Sequence, residues 1–213
     1  MPKDFNLKNL FMDLEYTVFG TEVHAFLWNL LKPHEGQIVL EPGCGCGKLG
    51  LSYALGGAEA MLLDVDPEVV SYARRIRGAL NSLVGFPLAV EIRIGNIHRM
   101  KYSNDSFDFV FNEGVPQHWV EEKLRQGAID QMVRVSRDLV AVIGNNGLRL
   151  DEQEADKGFE FTYKGMPPHR KCFTPDELEM RLKRAGLKGV VVEPITPGKI
   201  ESSVLIGGYG RKK

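Results

Sequence analysis

Residues 38–50 read Ile-Val-Leu-Glu-Pro-Gly-Cys-Gly-Cys-Gly-Lys-Leu-Gly, a short apolar run that breaks into three glycines at alternate positions. An apolar run of this length suits a strand buried inside a parallel sheet. The alternating glycines predict a tight turn at which the backbone approaches another group closely. From Leu49 to Leu55 the residues favour the start of a helix. A strand, a glycine turn and a helix in this order place a ligand at the carboxyl end of a parallel sheet.

Three kinds of ligand compete for such a turn. A phosphate-binding P-loop is excluded, because Pro42 stands where its first glycine should be and Leu49 where its hydroxyl residue should be. The dinucleotide pattern Gly-x-Gly-x-x-Gly does match residues 45–50, although the pattern alone is weak. Glu41 argues against a dinucleotide, because a carboxylate repels a pyrophosphate. The same carboxylate would attract a ligand that carries an ammonium group and a sulfonium.

The stretch 41–47 closely resembles the first motif of the class I S-adenosylmethionine-dependent methyltransferases, an acid, one residue and then Gly-x-Gly-x-Gly. The likeness extends over roughly residues 37–210 and is to the broad branch that methylates small molecules. It implies an α/β fold, a Rossmann-like three-layer α/β/α sandwich with a seven-stranded, mostly parallel sheet and a C-terminal antiparallel hairpin. It also implies S-adenosyl-L-methionine as the methyl donor, held in this loop by Glu41, Gly43, Cys44, Gly45 and Gly47.

A second predicted strand, residues 60–66, carries two acids at its end. Asp64 lies about 20 residues beyond the glycine turn, the spacing at which a carboxylate accepts hydrogen bonds from ribose hydroxyls. We assign Asp64 and its neighbour Val65 to the donor site. Asp66 is followed by Pro67, a sequence typical of a helix N-cap with proline at the first helical position.

The third predicted strand, residues 88–94, ends at Gly95-Asn96-Ile97. In the resembled family an Asp commonly stands at the position of Asn96 and binds the adenine amino group, and the next apolar residue, here Ile97, contacts the ring. The amide oxygen of an Asn can accept the same hydrogen bond. An ordinary Gly-Asn turn without a ligand is the alternative.

A fourth buried strand, residues 107–111, runs into Asn112-Glu113-Gly114 and then to His118. The family places this strand beside the first, so Asn112 is assigned to the donor site. The signature of enzymes that methylate amino groups of DNA is absent, because Glu113 and Gly114 stand where it requires prolines. His118 is the first candidate for a general base and Glu113 the second. A packing or donor-contact role for His118 remains open.

Composition narrows the functional classes. The chain has 213 residues, of which 43% are hydrophobic and 26% charged, with a formal net charge of −1. Near-neutral charge predicts no nucleic-acid partner, and Arg74, Arg75 and Arg77 are interpreted as a solvated helix face. No membrane span or signal peptide is predicted, so a cytoplasmic location is expected. Three cysteines form neither a disulfide framework nor a metal site, and Cys44 and Cys46 are interpreted as small apolar fillers.

We expect one methyltransferase domain in four parts. Residues 1–36 form an N-terminal helical cap, in which Tyr16 either covers the donor or docks on the sheet. Residues 37–146 form the donor-binding core, and residues 174–213 the final helix and hairpin. Residues 147–173 form a substrate-side loop, either a wall of the acceptor site or a dimer contact.

The predicted reaction is transfer of a methyl group to an unidentified, small-molecule acceptor by in-line displacement. An NAD-dependent oxidoreductase and a non-catalytic S-adenosylmethionine-binding protein remain alternatives, and the chain is expected to be a monomer or a homodimer.

Overall fold

A computed structural model describes residues 22–148, 172–195, 200, 203 and 205–212. Its centre is a seven-stranded sheet in the order β3-β2-β1-β4-β5-β7-β6. The strands span Ile38–Pro42 (β1), Glu59–Asp64 (β2), Val90–Ile94 (β3), Phe107–Glu113 (β4), Ser136–Asn145 (β5), Lys188–Pro194 (β6) and Leu205–Arg211 (β7). Strands β1 to β5 are parallel, whereas β7 is antiparallel to both β5 and β6. The predicted mostly parallel sheet with its antiparallel hairpin is confirmed.

Among the described residues, five helices flank the sheet: Glu22–Leu30 (α1), Lys48–Leu55 (α2), Pro67–Val84 (α3), Glu122–Val135 (α4) and Pro175–Arg184 (α5). Neighbouring strand residues point to opposite faces, so Val39 joins the hydrophobic cluster with α1, α2 and α3, while Leu40 joins the cluster with α4 and α5. Two cores on either side of one sheet make the three-layer sandwich.

Side chains cap the starts of two helices, and the cap at Asp66 is the predicted one. The Asp66 carboxylate accepts the backbone N–H of Glu68 at 2.8 Å, with Pro67 at the first position of α3. The Thr174 hydroxyl accepts the N–H of Glu177 at 3.2 Å at the start of α5. These caps depend on side chains within a few residues of each helix, which is why such caps can be predicted from a sequence.

Arginines on α4 and α3 make contacts that the sequence did not indicate. On α4, Leu124 is exposed, whereas the neighbouring Arg125 is fully buried. Arg125 forms an ion pair with Glu177 of α5 at 3.7 Å and stacks over the Phe173 ring at 4.2 Å, so a charge occupies a core position. On α3, Arg74 and Arg75 are exposed, as expected for a solvated face, and Arg74 and Arg77 also donate to backbone carbonyls of β3.

Candidate functional site

The glycine loop between β1 and α2 crosses the end of β2. The amides of Gly43 and Cys44 both donate to the Leu63 carbonyl, at 2.6 and 2.8 Å. Gly43, Gly45 and Gly47 have φ values of 75°, 55° and 78°, a backbone conformation that side chains strongly disfavour.

Close packing adds a second requirement for glycine. A Cβ at position 43 would lie 2.3 Å from a methyl group of Val115, and one at position 47 would lie 2.6 Å from a methyl group of Leu62. Both contacts are shorter than van der Waals packing permits. Gly43 and Gly47 are therefore required both for their positive φ and for close packing.

Glu41 lies beneath this loop and is only 3% exposed. Its Oε2 atom accepts the backbone N–H of Gly50, in the first turn of α2, at 2.8 Å. Burial raises the pKa of the Glu41 carboxyl to about 8 and outweighs the lowering effects of the Gly50 hydrogen bond and the Lys48 charge, while the charges of Glu113 and Asp64 add to the increase. In the free protein near pH 7 the neutral acid is therefore favoured, whereas the sequence suggested an ionised carboxylate.

Lys48 is a site residue that the sequence did not single out. It is the first residue of α2, and its Nζ lies 3.4 Å from a carboxylate oxygen of Glu113 at the end of β4. The buried His24 of α1 packs beside it: burial lowers the pKa of His24, and a hydrogen bond with the Lys48 backbone partly offsets that effect. Lys48 thus connects the loop, β4 and α1.

Asp64 is buried at the end of β2, next to the glycine loop. Its Oδ2 accepts the N–H of Gly45 at 3.0 Å, and its Oδ1 accepts the N–H of Asp66 at 3.0 Å. Each carboxylate oxygen can accept more than one hydrogen bond, so both retain capacity for a ligand hydroxyl. Val65, the next residue, is 56% exposed and offers an apolar surface beside this carboxylate.

The turn after β3 has the geometry of a capped turn. The Asn96 side-chain oxygen accepts the N–H of His98 at 2.8 Å, and Ile97 is buried. The ordinary Gly-Asn turn considered from the sequence is thus present, and the adenine contact of these two residues stays a prediction. The His98 ring meets the Trp119 ring edge-on at 4.4 Å between centroids, which joins this turn to the segment after β4.

Asn112 is completely buried between two strand ends. Its Nδ2 donates to the Pro42 carbonyl, and its Oδ1 accepts the N–H of Val115 at 3.0 Å. The side chain therefore holds β1 to the turn after β4. Its predicted contact with the donor is untested, and its burial does not support a direct one.

Two further amides continue this connection across the sheet. Gln117 accepts the N–H of Asn145 at 2.7 Å, and Asn146 donates to the carbonyls of Ile200 and Ser203 at 2.6 and 2.8 Å. The sequence offered no signal for them, because isolated amides beside turns have no period. His118 follows Gln117 on a 3-10 turn, is buried, and donates its backbone N–H to Val115 at 3.0 Å.

The expected substrate-side loop is described only at its ends. Gly147 donates to the Phe173 carbonyl at 2.8 Å, and Phe173 donates to the Asn145 carbonyl at 3.0 Å, so both ends meet at the carboxyl end of β5. Tyr16 and residues 149–171 lie outside the described residues.

Burial raises the pKa of both loop thiols, Cys44 and Cys46, in keeping with their predicted role as neutral fillers. Within the described ranges, no three His, Cys, Asp or Glu side chains are grouped closely enough to hold a metal ion. Across the same residues, no helix combines the length and hydrophobicity that a membrane span requires.

The predicted residues that the structure describes come together at one edge of the sheet, at the carboxyl ends of β3, β2, β1 and β4. Strand β2 lies on one side of β1 and β4 on the other, so the strand order reverses at β1. Open α/β sheets bind ligands at the carboxyl ends of the strands where such a reversal occurs.

Comparison with known proteins agrees with this architecture. The methyltransferase domain family matches residues 39–138. The chain is 28% identical to a ubiquinone biosynthesis O-methyltransferase of Chelativorans sp. (strain BNC1), over 78% of this chain and 66% of that protein. It spans about two thirds of the length of the curated relatives it matches.

Two solved structures show the same fold. A SAM-dependent methyltransferase from Methanosarcina mazei has a TM-score of 0.66 at 17% identity, over 88% of this chain and 96% of that chain. Magnesium protoporphyrin IX methyltransferase from Synechocystis PCC 6803, solved with bound SAH, has a TM-score of 0.65 at 14% identity, over 100% of this chain and 90% of that chain.

Proposed function

We propose that the chain is a class I S-adenosylmethionine-dependent methyltransferase, which transfers a methyl group from S-adenosyl-L-methionine to a small-molecule acceptor, with S-adenosyl-L-homocysteine as the second product. The observation that carries the proposal is the junction of the glycine loop and β2, where the Asp64 carboxylate holds the Gly45 amide at 3.0 Å. This junction brings a carboxylate, a close-packed glycine backbone and the exposed Val65 to the end of two adjacent strands.

The described residues fit the three chemical parts of the donor. Asp64 has free acceptor capacity for two ribose hydroxyls. Val65 and the turn at Asn96 and Ile97 offer apolar and amide surfaces for adenine. Glu41 supplies a negative charge, once ionised, for a cationic ligand. When bound, the donor supplies a methyl group already activated by the sulfonium charge.

The protein's own contribution is to position both ligands and exclude water. His118 lies on the turn after β4 and can act as a base toward an acceptor that must lose a proton. Glu113, the second candidate, is already paired with Lys48. The relatives named as O-methyltransferases favour a hydroxyl oxygen as the accepting atom, so an acceptor screen begins with phenols and continues with amines and thiols.

Calorimetric titration with S-adenosylmethionine, S-adenosylhomocysteine and NAD tests the proposal. We expect the first two to bind, and Asp64→Ala to weaken their affinity roughly a hundredfold, because hydrogen bonds to charged groups contribute about 1.5–3 kcal/mol each. Asp66→Ala, two residues away, removes a helix cap and should leave donor affinity unchanged.

Other outcomes select the alternatives. Binding of NAD instead of the donor would indicate an oxidoreductase. Donor binding without transfer to any acceptor in the screen would indicate a non-catalytic binding protein.

A further inference from the structure

Glu41 occupies a position where charge is difficult to accommodate. It is the penultimate residue of β1, and Gly50 of α2 packs so closely that a Cβ there would lie 3.0 Å from the Glu41 carboxylate oxygen. The carboxyl group is buried, with the Gly50 amide as a hydrogen-bond donor to Oε2. A buried carboxyl group favours its neutral form unless positive charge compensates it.

The charged groups that face Glu41 do not supply that compensation. Asp64 at the end of β2 and Glu113 at the end of β4 are acids, and Lys48 of α2 is the facing cation. Lys48 lies 3.4 Å from Glu113 and is paired with it. The thiols of Cys44 and Cys46, also nearby, are kept neutral by burial. If Glu41 ionised, the three carboxylates of Glu41, Asp64 and Glu113 would therefore face only the ammonium group of Lys48.

A ligand with an ammonium and a sulfonium group would correct this imbalance. We infer that Glu41 makes binding selective for the charged donor by changing its protonation state. It is neutral in the free protein and releases its proton to solvent when S-adenosylmethionine occupies the loop. It favours the donor over the product because the product lacks the sulfonium charge. This inference rests on the proposed function and assigns to Glu41 a specificity-determining role within it.

The direction of the pH dependence follows. Burial raises the pKa of Glu41 to about 8 in the free protein, so below pH 8 the donor must displace a proton. Donor affinity then increases as pH rises, by up to roughly tenfold for each pH unit below 8, and levels off above it. The affinity of S-adenosylhomocysteine, which keeps the ammonium group alone, increases less steeply over the same range.

The experiment is calorimetry at pH 7 in two buffers of different ionisation enthalpy, phosphate and Tris, with each ligand in turn. The difference in observed heat between buffers gives the number of protons released. We expect wild-type protein to release more protons with S-adenosylmethionine than with S-adenosylhomocysteine. Glu41→Gln, which can still accept the Gly50 hydrogen bond, should lose the Glu41 part of this release and much of the preference for the donor.

The amino group of the donor also titrates, but it does so in the same way with wild type and Glu41→Gln. The difference in proton release between the two proteins therefore gives the contribution of Glu41. Equal proton release in wild type and Glu41→Gln would overturn the inference while leaving the proposed function intact. If the variant does not fold, wild-type affinities decide: parallel pH curves for the two ligands would overturn it as well. Binding of neither ligand would overturn the proposed function and this inference with it.

Discussion

His118 is the residue on which the chemistry of transfer depends in the proposed mechanism. It lies directly after β4, on a short turn held by the Asn112, Val115 and Gln117 contacts. A hydroxyl acceptor must lose its proton during transfer, and we propose that the His118 imidazole takes it. An acceptor that attacks without losing a proton needs no such base.

His118→Ala should lower turnover a hundredfold or more on an acceptor identified by the screen, which is about the lower limit of general-base effects. Donor affinity should stay at the wild-type value, measured by calorimetry on the same sample. His34→Ala, at an exposed position before β1, is the matched control and should keep full turnover. Unchanged turnover in His118→Ala would rule out the base role.

At the scale of elements, α3 protects an edge of the sheet. Strand β3 is the last strand on its side, and the carbonyls of Val90 and Ile92 point away from β2. Arg74 donates to the Ile92 carbonyl at 2.7 and 3.1 Å, and Arg77 donates to the Val90 carbonyl at 3.1 Å. Unpaired edge groups are a template for pairing with another chain, so these arginines close the edge.

Replacing both Arg74 and Arg77 by alanine should therefore increase self-association, because two edge carbonyls lose their donors. Sedimentation velocity over a concentration series measures the effect. Arg75→Ala is the control: Arg75 lies over the Tyr72 ring on the same helix, and its loss removes one positive charge while the Arg74 and Arg77 hydrogen bonds stay in place. A double variant that sediments like wild type at every concentration would show that the edge is protected in another way.

At the scale of the whole molecule, the site depends on strand ends that are distant in the chain. Strands β1 and β4 are adjacent, and Asn112 joins them across a sequence separation of 70 residues. Gln117 and Asn146 extend the connection to β5 and to the segment before β7. These amides hold the carboxyl edge of the sheet in one arrangement before any ligand binds, which reduces the ordering that binding requires.

Asn112→Ala should lower the free energy of unfolding by about 1–3 kcal/mol for each buried group left without a partner, here the Pro42 carbonyl and the Val115 amide. Denaturant unfolding provides the measurement. Asn112→Asp retains the acceptor for Val115 and loses the donor to Pro42, although its added charge is also buried. Wild-type stability and donor affinity in Asn112→Ala would show that the connection is dispensable.

The sequence by itself determined the features that depend on near neighbours. The glycine loop, the strand before it and the caps at Asp66 and Thr174 are each set by residues within one or two turns of chain. The family resemblance added the position of β4 beside β1 and the antiparallel hairpin, and the structure has both. Local conformation can be predicted from the sequence because turns, helix caps and hydrophobic periodicity depend on residues that are close together in the chain.

Only the tertiary structure decided the chemical state and partners of the site residues. Burial, together with acids on two other strands, raises the pKa of Glu41, and Lys48 pairs with Glu113 across 65 residues of chain. Asn112 turns out to be a structural link, and Arg125 lies in the core because Glu177 and Phe173 reach it. Electrostatic and hydrogen-bonding partners are determined by distances in the folded structure, and a local sequence pattern does not encode those distances.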